Sequence, residues 1–175
     1  MAREFDLNPV TFITVGTIGP PGQRVFHLQA GTEDDLVTLT IEKMQAAALA
    51  EGTNQLLEEL SEKLGLPEAK ASEMDLELHE PILPAFRVAQ LGIGFDEASG
   101  MIVVMAQELL LEDEAEEPSI ARFFATPDQM RAFSEHAEFV VSQGRPICPL
   151  CDQPIDPDGH FCPKRNGHGR KVLLA

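Results

Sequence analysis

All three cysteines of this chain lie within one short stretch near its C-terminus. Cys148 and Cys151 form a Cys-x2-Cys pair, and His160 and Cys162 form a His-x-Cys pair after eight intervening residues. Structural zinc sites take four tetrahedral ligands from thiolate and imidazole groups and leave no position open. The spacing therefore predicts one structural Zn²⁺ per chain, bound by Cys148, Cys151, His160 and Cys162.

The residues around these ligands favour the same interpretation. The segment 152–159 is rich in turn-forming residues and can bring the two pairs together. In an extended backbone, residues i and i+2 point to the same side, so His160 and Cys162 can reach one ion. The tail has too few apolar residues to fold by itself, and metal binding would supply the missing folding free energy. We therefore expect a zinc-ribbon or knuckle-like module over residues 145–175.

Other roles for the cysteines fit less well. A disulfide would leave one of three cysteines unpaired, and nothing near the N-terminus resembles a secretory signal. A catalytic cysteine needs a nearby base and gains nothing from a Cys-x2-Cys pair. Four protein ligands form a closed site, which argues against metal-assisted hydrolysis at this ion. His168 is an alternative to His160 as a ligand, although its flanking glycines favour a mobile or partner-facing role.

Charge is distributed unevenly along the chain, whose formal net charge is −16. The first 144 residues carry eight Lys/Arg against twenty-six Asp/Glu, whereas residues 145–175 carry five Lys/Arg against three Asp. An acidic body repels phosphate backbones, so it disfavours nucleic-acid binding except through the basic tail. No apolar run approaches the ~20 residues that span a bilayer. We expect a cytoplasmic protein without a membrane segment. The basic residues of the tail cluster are Lys164, Arg165, Arg170 and Lys171.

The sequence of the body predicts three strands followed by a helix, and the same order of elements then occurs a second time. Alternating apolar residues predict strands over 12–18, 24–30 and 36–41, with an edge strand around Phe5, and then a helix over 41–64. After an acidic connector over 66–84, the pattern repeats with strands over 85–95, 101–107 and 120–125. Thr126, Pro127 and Gln129 are the N-cap, N1 and N3 residues of a capping box that starts the second helix, which ends at Gly144.

These elements predict an α+β fold. Duplicated βββα units, over residues 12–65 and 85–144, would form a mostly antiparallel sheet covered by two helices. The two helices begin about 85 residues apart, which supports the duplication. The body would then occupy residues 1–144 and the zinc module residues 145–175.

The tail from Cys148 to His168 resembles the DUF3090 family of uncharacterised bacterial proteins. The segments Val15–Arg24, Glu42–Leu49 and Ala125–Phe133 also resemble that family, so the similarity covers nearly the whole chain. All four proposed zinc ligands are present in this pattern. In that family the gene neighbourhood implies a phosphate-linked pathway, but the resemblance assigns no activity.

The sequence is compatible with three classes of function. We favour a non-catalytic adaptor that presents an acidic body and a zinc-stapled tail to another protein. The second class is an enzyme with a site between the two repeats, formed by Arg24, His27, Arg87 and acidic neighbours, in which at least two perturbed ionisable groups would converge. The third is nucleic-acid binding through the tail. His79 and His136 are predicted to be surface residues, and the sequence does not indicate an oligomeric state.

Overall fold

The computed structural model describes residues 2–20, 22–112, 116–143, 148–152, 160–162 and 171–172. Two helices pack with one large sheet, and a separate pair of short strands lies in the tail. The elements in chain order are β1 (Glu4–Leu7), β2 (Phe12–Ile18), β3 (Val25–Gly31), β4 (Leu36–Ile41), α1 (Lys43–Leu64), β5 (Pro84–Asp96), β6 (Met101–Glu108), β7 (Ile120–Ala125), α2 (Pro127–Ser142), β8 (His160–Phe161) and β9 (Lys171–Val172).

The large sheet has seven strands in the order β1-β7-β6-β5-β4-β3-β2. Four neighbouring pairs are antiparallel, and the pairs β1–β7 and β4–β5 are parallel. The predicted α+β fold with a mostly antiparallel sheet and two helices is therefore confirmed. The first helix begins at Lys43 rather than Ile41, because Ile41 is still paired with Phe26 in the sheet. In the described residues, neither helix is long and apolar enough to cross a bilayer.

The sheet curves back on itself. β1 and β2 lie at opposite ends of the strand order but are joined only by residues 8–11. Such a link spans at most about 18 Å, whereas six strand spacings in a flat sheet would separate its ends by about 29 Å. The N–H of Val10 donates to the carbonyl of Phe124 (2.9 Å), and the N–H of Thr11 donates to that of Gly31 (2.8 Å). The linking segment therefore bridges the two ends of the sheet and encloses one core with the helices.

The two halves of the body follow the same order, and their strand registers correspond. Leu28 lies between Val15 and Leu39 across the first three-stranded unit. Val104 lies between Ile93 and Phe123 across the second. The third strand of each half runs parallel to a strand at the start of the other half, β4 beside β5 and β7 beside β1. Descent of the halves from one duplicated unit, and a domain boundary near residue 144, stay predictions.

Each helix is tied to the other half by a glutamine in its first turn. Gln129 accepts from the N–H of Thr126 (2.8 Å), and its amide nitrogen donates to the carbonyls of Val10 (3.1 Å) and Thr11 (3.4 Å). The Thr126 hydroxyl accepts in turn from the N–H of Gln129 (3.0 Å), so the predicted capping box is confirmed. These bonds satisfy helix N–H groups that have no partner within the helix.

Gln45 makes the corresponding bonds at the start of α1. It accepts from the N–H of Glu42 (2.8 Å) and donates to the carbonyls of Val88 (3.2 Å) and Ala89 (3.3 Å). Those carbonyls lie where the register of β5 shifts against β6. The Gln45 side chain therefore donates to backbone carbonyls where the β5–β6 pairing is irregular and hydrogen bonding between the strands is interrupted.

The connector, residues 66–83, packs on one side of β2, β3 and β4. We call this side the outer face of the sheet, because the helices pack on the opposite side with Leu28 and Leu39. The Thr14 hydroxyl donates to the carbonyl of Leu76 (2.6 Å), and the ring of Phe12 stacks on that of His79 with centroids 4.2 Å apart. The connector thus makes ordered contacts with the sheet, although it contains no helix or strand.

The predicted surface position holds for His79, whose side chain is 38% exposed, whereas His136 is more buried than predicted. His79 covers Phe12 and pairs with Asp75 at 2.8 Å, because the connector that carries it packs on the sheet. His136 is half-buried, since α2 packs against β2. Burial lowers the pKa of His136, against a raising hydrogen bond to the backbone of Val15.

Replacing Gly52 by alanine is expected to stabilise the protein. Gly52 lies in the interior of α1, where glycine is about 1 kcal/mol less favourable than alanine. An added Cβ would contact Ile93 Cγ2 at 3.6 Å, an ordinary van der Waals distance. Thermal unfolding of Gly52→Ala should shift upward by about 2–4 °C.

Gly65→Ala is the matched control for this substitution. Gly65 ends α1 with φ at +63°, a conformation that alanine adopts only with strain. This variant should therefore unfold at a lower temperature than the wild type. A lower unfolding temperature for Gly52→Ala as well would contradict the account of the α1 interior.

Candidate metal centre

The three cysteine sulfurs converge in the described part of the tail. The Sγ atoms of Cys148, Cys151 and Cys162 all lie within 4.8 Å of one another, and no disulfide joins them. Cys148 and Cys162 are buried against each other, with their sulfurs 3.8 Å apart. Three thiols in one cluster, contributed by two separate segments, make a possible metal site.

The sulfur spacing fits metal coordination. Two thiolates bound to one tetrahedral zinc at about 2.3 Å would lie about 3.8 Å apart. A disulfide would require about 2.05 Å. The 3.8 Å distance between Cys148 and Cys162 therefore matches an edge of a coordination tetrahedron.

A tight turn positions the first two sulfurs. The N–H of Asp152 donates to the carbonyl of Cys148 (2.9 Å), and Asp152 adopts a left-handed φ of +59°. Burial alone would raise the pKa of the Cys148 thiol. Hydrogen bonds from the backbone of Leu150 and Cys151 and from the neighbouring thiols outweigh that effect, so the pKa lies below its usual value. The turn thus favours the thiolate form that binds metals.

The fourth predicted ligand is only partly described. His160 lies in β8, which pairs with β9 and ends immediately before Cys162. The side chain of His160 lies outside the described residues, so its role as a ligand stays a prediction. The same holds for His168, Lys164, Arg165 and Arg170 and for the side chain of Lys171. The β8–β9 pairing itself was not predicted, because strands of two residues carry no periodic signal.

The residues proposed for an enzyme site are only partly brought together. Arg24 and Arg87 line one cavity at the start of α1, which Lys43 also lines. His27 is not among the residues that line it. Burial lowers the pKa of His27. A hydrogen bond to the backbone of Leu39 acts in the opposite direction but has the smaller effect. A role for Lys43 in this cavity was not predicted from the sequence. The helix was expected to begin at Ile41, which would place Lys43 inside the first turn and not at the helix start.

Comparison with known proteins agrees with the resemblance seen in the sequence. The family model of DUF3090, described as a protein of unknown function, matches residues 5–162. No curated protein and no solved structure gives a match. The matched range contains nearly the whole body and all three clustered cysteines, and the chain therefore belongs to the DUF3090 family.

Proposed function

We propose that this protein is a non-catalytic adaptor that binds an extended segment of a partner protein on the outer face of β5, β6 and β7. Its tail is a structural module held by one Zn²⁺ on Cys148, Cys151, His160 and Cys162. The observation that carries the proposal is the contrast between the two halves of the sheet. In the first half the connector covers the outer face, whereas in the second half no segment among the described residues covers it.

The open face is concave and mainly apolar, with Gln90, Asp96 and Gln107 as its polar lining residues. A cavity of about 740 Å³ lies over β5 and β6 and reaches Phe124 of β7. Met105 points to this side and is 45% exposed, although it lies in the middle of a strand. A Cβ added at Gly92 or Gly94 would meet no atom within 4 Å, so the glycines leave open space beside it. Exposed apolar surface of this kind marks interaction sites.

The covered face indicates what such a surface accommodates. Leu78 of the connector packs so closely on Gly16 that an added Cβ there would overlap its side chain. Val15 and Ile93 occupy corresponding positions in the two halves of the sheet. Gly16 follows Val15 and Gly94 follows Ile93, so Gly94 corresponds to Gly16. Leu76 and Leu78 are spaced as alternate residues of an extended segment. The open face therefore suits an extended segment with aliphatic side chains at alternate positions.

Charge adds a second requirement for the partner. Asp96 lines the open face, and the body around it holds eight Lys/Arg against twenty-six Asp/Glu, so acidic segments are repelled at this face. A segment with basic residues on either side of its aliphatic pair would be attracted instead. We therefore commit to a partner segment that is extended, aliphatic at alternate positions and flanked by basic residues.

A designed peptide tests the proposal directly. The probe is a fluorescent ten-residue peptide with leucines at two alternate positions and lysines at both ends, titrated with full-length protein. Met105→Asp places a charge in the open face and should weaken peptide binding at least tenfold. Fluorescence polarisation measures the affinity.

Met44→Asp is the matched control, because Met44 is 83% exposed on α1, away from the open face. It should bind the peptide like the wild type. Gly94→Leu provides a second test that fills the open space without adding charge. Equal peptide affinity in the wild type, Met105→Asp and Gly94→Leu would refute the docking surface.

A further inference from the structure

We propose that the cavity at the start of α1 is a binding site for the phosphate group of a small molecule or for inorganic phosphate. The cavity has a volume of about 230 Å³. Arg24, Lys43 and Arg87 all line it. These three cations come from the segment before β3, from α1 and from β5, so folding brings them together from distant parts of the chain.

This concentration of positive charge is unusual for such an acidic body. The first 144 residues contain only eight Lys/Arg, and three of them line this one cavity. Glu42 is the single acidic residue in the lining, and it pairs with Arg87 at 2.8 Å. The cavity thus keeps a net positive charge. Distant carboxylates weaken anion binding little at physiological salt, where the screening length is about 8 Å.

The corresponding cavity in the other half has the opposite charge. It lies at the start of α2 and has a volume of about 780 Å³. Its lining includes Glu68, Glu97 and Asp128, with Lys70 as the one basic residue. Both cavities lie at the start of a helix, but only the cavity at α1 has a basic lining. The three cations therefore need an explanation beyond the shared fold.

Arg24 differs from the other arginines of the body in its partners. Arg122 pairs with Asp6 (2.9 Å), Arg131 donates to Asn54 (2.9 Å), and Arg3 donates to the carbonyl of Ala85 (2.8 Å). The Nε of Arg24 is buried and has no hydrogen-bond partner in the part of the chain that the structure describes. A buried donor without a partner is destabilising, and a bound anion that accepts from it would offset this cost.

A second buried atom without a hydrogen-bond partner, Nδ1 of His27, lies one strand position away from the cavity lining. His27 is 5% exposed, and its Nδ1 makes no hydrogen bond within the described residues. His27 is paired with Thr40 across the sheet, and Thr40 is paired in turn with Arg87. Both Thr40 and Arg87 line the cavity. Of the three such buried atoms in the described residues, one therefore belongs to a lining residue, Arg24, and one to the strand neighbour of another lining residue, Thr40.

The geometry favours phosphate over other anions. A guanidinium presents its donors as a planar fork that matches phosphate oxygens. The first N–H groups of a helix have no intrahelical acceptor and carry partial positive charge, so they add to the attraction. Lys43, as the first residue of α1, lies at that same helix end. Together these groups fit a compact anion with several acceptor oxygens.

The test is calorimetric titration of the full-length protein, in a phosphate-free buffer, with inorganic phosphate, phenyl phosphate and acetate in separate runs. We expect saturable one-site binding of phosphate or phenyl phosphate. Tighter binding of one of the two assigns the source as free phosphate or a phosphomonoester. Arg24→Gln should weaken binding at least tenfold, and Lys43→Gln several-fold. Lys63→Gln, at the opposite end of α1, is the matched control and should bind like the wild type.

Several outcomes would overturn this site. One is the absence of saturable binding by the wild type, and another is equal binding by the wild type and Lys43→Gln. Acetate binding as tight as that of both phosphate compounds would refute the phosphate class. If Arg24→Gln does not fold, Lys43→Gln decides the question, because Lys43 is exposed. Met105→Asp should leave phosphate binding unchanged, which separates this proposal from the docking surface.

Discussion

Replacing Cys151 by serine is expected to remove the bound zinc. Its thiol is one of three sulfurs within 4.8 Å of one another, and serine offers no thiolate to complete the coordination shell. Zinc binding in small structural modules contributes about 10–16 kcal/mol of folding free energy. Its loss should therefore loosen the tail while the body, whose core is separate from the cysteine cluster, stays folded.

Two measurements check this expectation. Elemental mass spectrometry of protein purified without added metal should find one zinc per wild-type chain and at least tenfold less in Cys151→Ser. Hydrogen exchange should quicken at residues 148–152 and remain slow in β2–β7. Asp152→Asn is the matched control, because asparagine tolerates the left-handed conformation of Asp152 and leaves the thiols in place.

Equal metal content in Cys151→Ser and the wild type would contradict the metal site. Wild-type protein with no zinc and three titratable thiols would contradict it too, and would direct attention to redox chemistry. Zinc in the wild type together with its loss from a His160→Ala variant would establish the fourth ligand.

Replacing Gln29 by leucine is expected to release the connector from the sheet. Gln29 is fully buried, and its amide nitrogen donates to the Thr38 hydroxyl (2.9 Å) and to the carbonyl of His79 (2.9 Å). Its amide oxygen accepts from the N–H of His79 (2.7 Å). Leucine has a similar size but leaves both backbone groups of His79 without this partner. Each buried group left unpaired costs about 1–3 kcal/mol.

The unfolding free energy of Gln29→Leu should fall by about 3 kcal/mol, less than the sum of these costs because the connector can move toward water. Urea unfolding measures the change, and limited proteolysis within residues 66–83 should become faster. Gln90→Leu is the matched control, since Gln90 is an exposed glutamine on the outer face of β5, and its change should stay within about 0.5 kcal/mol. Wild-type stability of Gln29→Leu would show that this amide does not hold the connector.

The local features of the fold were predictable because their causes lie within a few residues. Thr126 and Gln129 bond to each other's backbone across a single turn, so the capping box can be read from four letters. The strands follow from alternation, which decides which side chains face the core. The Cys-x2-Cys pair was informative for the same reason, since a turn of five residues brings Cys148 and Cys151 together.

The position of the connector depends on contacts that are distant in the sequence. Its sequence is typical of an acidic loop that contains prolines, but three of its residues contact the outer face of the sheet. Leu76 accepts from Thr14, and Leu78 packs on Gly16. The backbone carbonyl of His79 accepts from Gln29. The sequence signal was the presence of Thr14 and Gln29 in two mainly apolar strands. Buried polar side chains in a strand require partners, but the sequence does not say which distant segment supplies them.

The sequence by itself determined most helices and strands of the body, the α+β class and the three cysteines of the candidate metal cluster, because these depend mainly on contacts between near neighbours. Only the tertiary structure decided that residues 8–11 bridge the ends of the sheet and that the connector covers the first half of the outer face. It also decided that a cavity lies over the second half among the described residues, and that Arg24, Lys43 and Arg87 share another cavity. These features join residues far apart in the chain. Their arrangement follows from how all elements together bury one core, which no local pattern records.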